Sequence, residues 1–479
     1  MKELLNHILD STAALQPEII LFIGILGMTL FISFTKKPTP EHIFDKLLYL
    51  TVFILGLTAW SLYCRYSLST GREDAFFQGM LLIDKRASFF QIVVVFVAIL
   101  SLIHAKLVNF RTSAEYFLMF LAIVLGLLLL SMSNNFMSMY LFLELVSICS
   151  YILISIQKES LNYEAGIKYL TVGAIISAVM LYGISLIYGV SGSLYFDQIT
   201  IGIAEQEATI ANVLILLAMA GLLFKMSAAP FHIWAPDAYE KAPTPALSFL
   251  SVAPKIAAFL VILRLFSFGN LDFSNYFAII ILASITIGNF AALWQKDAKR
   301  MLAYSGIAHA GFILIGLMAS STAGNDASAF YLLIYAIMNP AAFLLIDLLQ
   351  KRSGSYELAS FVGMGSKNVS IGLVAIVVMI ALIGFPPTVG FTAKFLIFTS
   401  LLPSVSDGNS LFTTVLVFGV LNTAVSLFYY LRIPYFMFMK EGEVNSTKSY
   451  IGGTILLSIL AGLLVYLFFA PEVFQGLIK

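Results

Sequence analysis

Leu222-Leu223-Phe224-Lys225-Met226-Ser227-Ala228-Ala229-Pro230-Phe231-His232 closes an apolar run that begins near residue 209. The run has the length and character of a membrane-crossing helix, yet it carries a lysine and then a proline. Pro230 lacks a backbone donor and its ring clashes with the preceding turn, so the helix must break or restart there. Gly384-Phe385-Pro386-Pro387-Thr388-Val389-Gly390 interrupts a second apolar stretch, over 370–402, in the same way. Broken backbone at bilayer depth is tolerated only where protein buries it or a wet cavity receives it. Both stretches point to a membrane protein with a polar interior.

Composition agrees. Of 479 residues, 60% are hydrophobic and 11% charged, with a mean hydropathy of +0.95. An ordinary soluble domain has about 25% charged residues, so a soluble enzyme, a disordered chain and a nucleic-acid binder are excluded. The net charge of +1 implies no bulk electrostatic partner. Cys64 and Cys149 are the only cysteines, too few for a disulfide framework, a zinc site or an iron–sulfur cluster. His7, His42, His104, His232 and His309 have no haem or metal spacing, and no glycine-rich nucleotide fingerprint is present. Asp10, Pro17 and Glu18 precede the first apolar run, which reads as a retained helix rather than a cleaved signal.

A crossing needs about 20 mostly apolar residues. Fourteen candidates satisfy this: 18–34, 46–63, 87–108, 115–132, 136–156, 166–190, 209–228, 246–268, 275–294, 301–320, 327–349, 370–402, 411–438 and 451–470. The polar stretch 64–86 reads as a loop. With the N-terminus outside, the inside connections hold sixteen lysines and arginines and the outside segments six: Lys2, Arg65, Arg72, Lys85, Arg86 and Lys479. That bias predicts both termini on the outer face. The broken spans are the seventh and twelfth. Being five apart, they face opposite ways, the mark of inverted repeats over spans 4–8 and 9–13. Tyr169-Leu170-Thr171-Val172-Gly173-Ala174-Ile175 weakly matches Tyr331-Leu332-Leu333-Ile334-Tyr335-Ala336-Ile337. The predicted fold is an all-α polytopic membrane protein of about fourteen helices, with helices 7 and 12 discontinuous. Its single transmembrane domain divides into a three-helix extension (1–110), two five-helix repeats (111–270 and 271–440) and a C-terminal helix (441–479).

Lys225, Lys255 and Lys394 lie deep within their spans, and Glu144 is central in the fifth. A charge at the bilayer centre costs about 2.5–3.5 kcal/mol on insertion scales, so four of them need a reason. Burial lowers a lysine's proton affinity enough for exchange near neutral pH, which arginine cannot achieve. Lysines spaced through the membrane and joined by water make a proton relay, and Glu144 beside Lys225 would favour the charged amine. The carbonyls ending the first half of helix 7 would add to this at Lys225. Each residue has a structural alternative. Glu144 and Lys225 can instead form a static ion pair that stabilises helix packing. Lys255 follows Pro254 and can donate to carbonyls freed by that kink. Lys394 can be held by open backbone at Val389 and Gly390. His309, between Ala308 and Ala310-Gly311, is a relay member or a packing histidine. Asp347, beside Lys351 and Arg352, reads as interfacial, and Arg264 and Arg432 as helix-end residues that snorkel.

At these residues the chain resembles the antiporter-like membrane subunits of NADH–quinone oxidoreductase (respiratory complex I), and among them subunit N. The resemblance rests on Gly221 through Asp237, with its Pro236-Asp237 pair, Ala242-Pro243-Thr244-Pro245, and Ser251-Val252-Ala253-Pro254-Lys255-Ile256-Ala257-Ala258-Phe259. Lys299-Arg300-Met301-Leu302-Ala303-Tyr304-Ser305, Gly390-Phe391-Thr392-Ala393-Lys394-Phe395 and Phe142-Leu143-Glu144-Leu145 add to it, as does Glu164-Ala165-Gly166-Ile167-Lys168-Tyr169. The proline–aspartate motif is shared with sister subunits L and M and with Mrp-type cation/proton antiporters; Pro254-Lys255-Ile256-Ala257 points to subunit N. The resemblance implies a proton path through Glu144, Lys225, Lys255 and Lys394. It implies no cofactor in this chain, with NADH, flavin, iron–sulfur clusters and quinone handled by partner subunits. The implied partners are other membrane subunits, L, M and smaller ones among them, in a bacterial inner membrane. A subunit of an Mrp-type sodium/proton antiporter and a purely structural scaffold are the alternatives.

Overall fold

The computed structural model describes residues 12, 14–34, 40–68, 74–157, 160–268, 273–441 and 450–478. Lys2, Lys36, Lys37, Arg72, Lys158, Lys448 and Lys479, all counted in the charge bias, lie outside the described residues.

The chain is helical almost throughout. It runs α1 (Gln16–Phe34), α2 (Pro40–Leu68), a hairpin of β1 (Asp74–Phe76) and β2 (Leu81–Ile83), α3 (Lys85–Leu107), α4 (Glu115–Ser131), α5 (Phe136–Ile154) and α6 (Ser160–Ser191). There follow α7 (Phe196–Ala204), α8 (Ala208–Met226), α9 (Trp234–Lys241), α10 (Thr244–Leu250), α11 (Ala253–Ser267), α12 (Ser274–Leu293), α13 (Ala298–Met318) and α14 (Thr322–Ser353). After a 3₁₀ turn at Leu358–Phe361 come α15 (Met364–Lys367), α16 (Val369–Ile383), α17 (Val389–Ser400), α18 (Leu402–Ser406), α19 (Ser410–Tyr430) and α20 (Arg432–Met439). The chain ends in α21 (Ile451–Phe469) and α22 (Glu472–Ile478). Among the described residues twelve helices are long and apolar enough to cross a membrane. The 17-residue α4 and the α16–α17 pair supply the remaining two of the expected fourteen.

Two elements escaped the sequence reading. The stretch expected to be a loop contains the β1–β2 hairpin, paired Asp74↔Ile83 to Phe76↔Leu81. The nine-residue α7 is too short to span and lay in what was read as a connection.

Two compact units are present. The first comprises Met1–Leu102, Arg111–Leu222 and Ile256–Leu271; the second comprises Ile103–Phe110, Leu223–Lys255 and Asp272–Lys479. In the first, Arg65 on α2 ties neighbouring helices together. Its guanidinium donates to the buried Glu18 carboxylate on α1 (3.2 Å) and to the Gln91 side chain on α3. Gln91 donates onward to Leu128 O (2.8 Å) on α4.

Each unit is also closed by an arginine, and neither arginine snorkels as expected. Arg264 on α11 is 8% exposed and donates to Ser131 O (3.0 Å) and Ser133 O (2.9 Å), the carbonyls that end α4, while its other nitrogen pairs with Asp84 Oδ2 at 2.5 Å. Arg432 at the start of α20 donates to Leu293 O (2.9 Å) and Gln295 O (2.8 Å), which end α12. Carbonyls at a helix C-terminus have no intrahelical partner and attract a cation. The same device thus fastens α11 to α4 and α20 to α12.

The spans that carry Pro230 and Pro386-Pro387 are both broken. Helix α8 stops at Met226, Ser227 turns left-handed at φ +59°, and the Ala229–Pro230 bond is cis. Helix α16 stops at Ile383, Gly384 turns left-handed at φ +86°, and Pro386–Pro387 is cis. In the second break the half-helices touch. A Cβ on Gly390 would stand 1.9 Å from Ala381 O, so only glycine lets α17 pass the end of α16. Gly390→Ala is expected to destabilise this packing by about 1–3 kcal/mol. A lowered thermal midpoint of the purified protein would show it, and an unchanged midpoint would contradict it.

Candidate functional site

The unpaired carbonyls that end α8 and α16 are the starting point, because a broken helix leaves them with no next turn to bond. At the end of α8, Trp234 Nε1 donates to Phe224 O (3.3 Å) and Lys255 Nζ donates to Met226 O (2.7 Å). Lys255 also donates to Gly306 O on α13 at 2.6 Å. At the end of α16, Lys394 Nζ donates to Ile383 O at 2.7 Å. Each break therefore holds a buried lysine on the final carbonyl of its first half-helix. The lysines are 1% and 5% exposed. Among the described residues neither is ion-paired, so the charge rests on helix-end dipoles and aromatic faces rather than on a carboxylate. Lys394 Nζ lies 4.5 Å from the Phe312 ring centroid and Lys255 Nζ 5.8 Å from that of Tyr335.

This departs from the sequence reading in two details. The carbonyl ending α8, expected to favour Lys225, is taken by Lys255. Lys394 is held by Ile383 rather than by Val389 or Gly390. Lys225 itself is 3% exposed, one residue from the end of α8.

Between the two lysines in sequence stands His309, 2% exposed on α13. Its Nδ1 is hydrogen-bonded to the Tyr331 hydroxyl (2.7 Å) and its Nε2 to the Tyr430 hydroxyl (3.0 Å). A neutral imidazole has one donor and one acceptor nitrogen, so one tyrosine donates while the other accepts. Such a ring passes a proton by taking it on one side and releasing it on the other. The His309 ring centroid is 5.0 Å from that of Tyr335 and 6.5 Å from that of Phe312, the rings beside Lys255 and Lys394 respectively. The second unit thus gathers Lys255, Tyr335, His309, Phe312 and Lys394 in one buried row. The tyrosines were missed because a phenol in an apolar helix looks like core; their register with His309 appears only in three dimensions.

Glu144 belongs to the first unit. It sits half-buried on α5 and accepts a hydrogen bond from Ser177 Oγ on α6. Removing a hydrogen bond to a charged group costs about 1.5–3 kcal/mol. Ser177→Ala should therefore loosen the hold on Glu144, seen as a change in the frequency of its carboxylate infrared band; an unmoved band would contradict the contact.

A further acid is more enclosed than its place near a helix end implies. Asp347, expected at the interface beside Lys351 and Arg352, is 3% exposed. Its Oδ2 pairs with His104 Nε2 (3.0 Å) and its Oδ1 accepts from the Tyr356 hydroxyl (2.7 Å). Helix α14 is buried on every side along this length, so a charge one turn from Lys351 is enclosed by protein, not membrane surface. Outside the spans, Glu240 on α9 is partly buried, which alone would raise its pKa. The Lys241 ammonium and the Arg300 guanidinium nevertheless hold its carboxyl below the usual range. Among the described residues no group of three or more histidine, cysteine, aspartate or glutamate side chains is placed to hold a metal.

The family described as NADH:quinone oxidoreductase/Mrp antiporter, TM, matches residues 133–423. The chain is 33% identical over 496 residues to NADH-quinone oxidoreductase subunit N 2 of Chloroherpeton thalassium, covering 98% of this chain and 95% of that one. A chain of respiratory complex I from Thermus thermophilus superposes with a TM-score of 0.80 at 29% identity, covering 96% of this chain and 99% of that one. A chain of the Mrp complex from Dietzia sp. has the same fold, with a TM-score of 0.83 at 18% identity over 98% of this chain and 96% of that one. With both an end-to-end relative and a family match across its repeats, this chain belongs to the NADH:quinone oxidoreductase/Mrp antiporter family, on its complex I subunit N branch.

Proposed function

We propose that this chain is a proton-translocating, cofactor-free subunit of an NADH–quinone oxidoreductase in a bacterial inner membrane, with both termini on the outer face. One observation carries the reading: each broken helix presents its final carbonyl to a buried, carboxylate-free lysine, with a doubly hydrogen-bonded histidine between them in sequence. Protons enter from inside at Glu144 and Lys225, pass to Lys255, cross by way of His309 and leave outward near Lys394. NADH oxidation and quinone reduction belong to partner subunits carrying flavin and iron–sulfur clusters. The sister subunits L and M and smaller membrane subunits are the neighbours in the membrane.

The cation suits this work because a helix-end carbonyl stabilises the ammonium without neutralising it. A small change in hydration then moves the proton, whereas a carboxylate partner would trap it. Isolation from the native membrane tests the assembly. Co-purification with quinone-reducing, iron–sulfur subunits supports the proposal. Recovery with small membrane partners alone supports an Mrp-type antiporter, whose fold is the same. For the path, Glu144→Gln in the reconstituted complex should lower protons moved per NADH oxidised. Full pumping in an assembled Glu144→Gln complex would remove Glu144 from the path.

A further inference from the structure

We infer that a second inner inlet winds along α14, from the buried His104–Asp347 pair to Lys255, and bypasses Glu144 and Lys225. This rests on the proton-carrying reading above. Tyr331, Tyr335, Asn339, Phe343 and Asp347 recur at every fourth position of α14, so each lies beside the next in a line that winds about 40° around the helix per step. At 1.5 Å per residue the row is about 24 Å long, most of the thickness of a bilayer core. Four of its five members are polar, and they are the only polar residues between Ala329 and Leu349. At its lysine- and arginine-rich end, Asp347 holds His104 and Tyr356. Tyr356 in turn is bonded to Thr244 (2.9 Å), and its ring lies 4.5 Å from Lys299 Nζ.

Among the described residues, three buried polar atoms on or beside this row have no hydrogen-bond partner: His104 Nδ1, Asn339 Oδ1 and the Tyr335 hydroxyl. A buried polar atom left unpaired costs about 1–3 kcal/mol, so native proteins meet such atoms with water. Asn339 is fixed by its Nδ2, which donates to Ser251 Oγ at 2.5 Å, four residues before Lys255. The far end of the row is open at Gly306. A Cβ there would stand 3.4 Å from the Tyr335 hydroxyl and 3.9 Å from Lys255 Nζ, so the missing side chain leaves a space facing both groups. Asp347 takes a proton from the inner side and becomes a carboxylic acid. It regains its carboxylate when the proton passes to water beside Asn339 and Tyr335 and then to Lys255. Phe343, the one apolar member, separates Asp347 from Asn339 and is where the row is gated.

The test uses the whole complex in proteoliposomes and reads protons moved per NADH oxidised. With two parallel inlets, Asp347→Asn should lower that ratio about twofold. The double variant Glu144→Gln/Asp347→Asn should fall as far as Lys255→Ala. An unchanged ratio in Asp347→Asn, beside a loss in Lys255→Ala, overturns the inlet and leaves the main path standing. An unchanged ratio in Lys255→Ala overturns the main path itself. Should Asp347→Asn fail to assemble, Asn339→Leu decides, because Asn339 lies on the inlet and not on the row through His309, and the change removes its unpaired amide oxygen. A lowered ratio supports the inlet, and a full ratio overturns it.

Discussion

Lys255→Met is expected to stop proton movement through this chain while the complex still assembles. The residue is enclosed by protein, and its ammonium reaches both the end of α8 and Gly306 on α13. Methionine keeps the length of the side chain and removes the only titratable group at that point. A relay without it faces a barrier higher by at least about 1.4 kcal/mol, a tenfold loss of rate. Lys255→Arg separates relay from prop. Arginine keeps the charge and the donors but does not release its proton. An assembled Lys255→Arg complex should therefore pump as poorly as Lys255→Met. If Lys255→Arg pumps normally, Lys255 is a static cap on a broken helix.

The largest loss of stability is expected at Arg264. Arg264→Met leaves the Asp84 carboxylate and the carbonyls of Ser131 and Ser133 without their partner. Breaking a buried pair from one side costs about 3–5 kcal/mol, mostly for the charge left behind. The variant should be recovered in low yield with a clearly lowered thermal midpoint in detergent. Arg264→Met/Asp84→Leu should regain part of the loss, because no unpaired charge remains. A single variant as stable as the parent would show that the clip contributes nothing. Arg432→Met should be milder, since Arg432 binds only carbonyls and is less buried.

Much of the fold was legible in the sequence because bilayer thickness imposes a length on every crossing helix. The fourteen apolar runs needed no tertiary information, and Pro230 and Pro386-Pro387 marked the breaks by their covalent chemistry. The buried lysines were also legible, since a charge inside an apolar run has a cost that composition alone reveals. What stayed hidden depends on partners remote in sequence. His104 and Asp347 are 243 positions apart, and nothing local in either span announces the pair. Asp347 lies one turn from two basic residues at a helix end, which marks its depth; that α14 is enclosed on all sides there is visible only in the fold. Arg264 and Arg432 were read as snorkelling because their position near helix ends was visible and the carbonyls they bind were not. The row on α14 did leave a trace, the four-residue spacing of Tyr331, Tyr335, Asn339 and Asp347. Phe343 breaks that trace, and tyrosine is common enough in apolar helices to disguise the rest.

The central claim is that water joins Lys255, Tyr335, His309 and Lys394 into one proton-conducting row. A density map of the assembled complex at a resolution that shows ordered water tests it most directly. Waters are expected in the space at Gly306, against the Tyr335 hydroxyl and between His309 and Lys394. Apolar side chains closing those gaps, with no water between the four residues in either the resting or the turning-over complex, would contradict it.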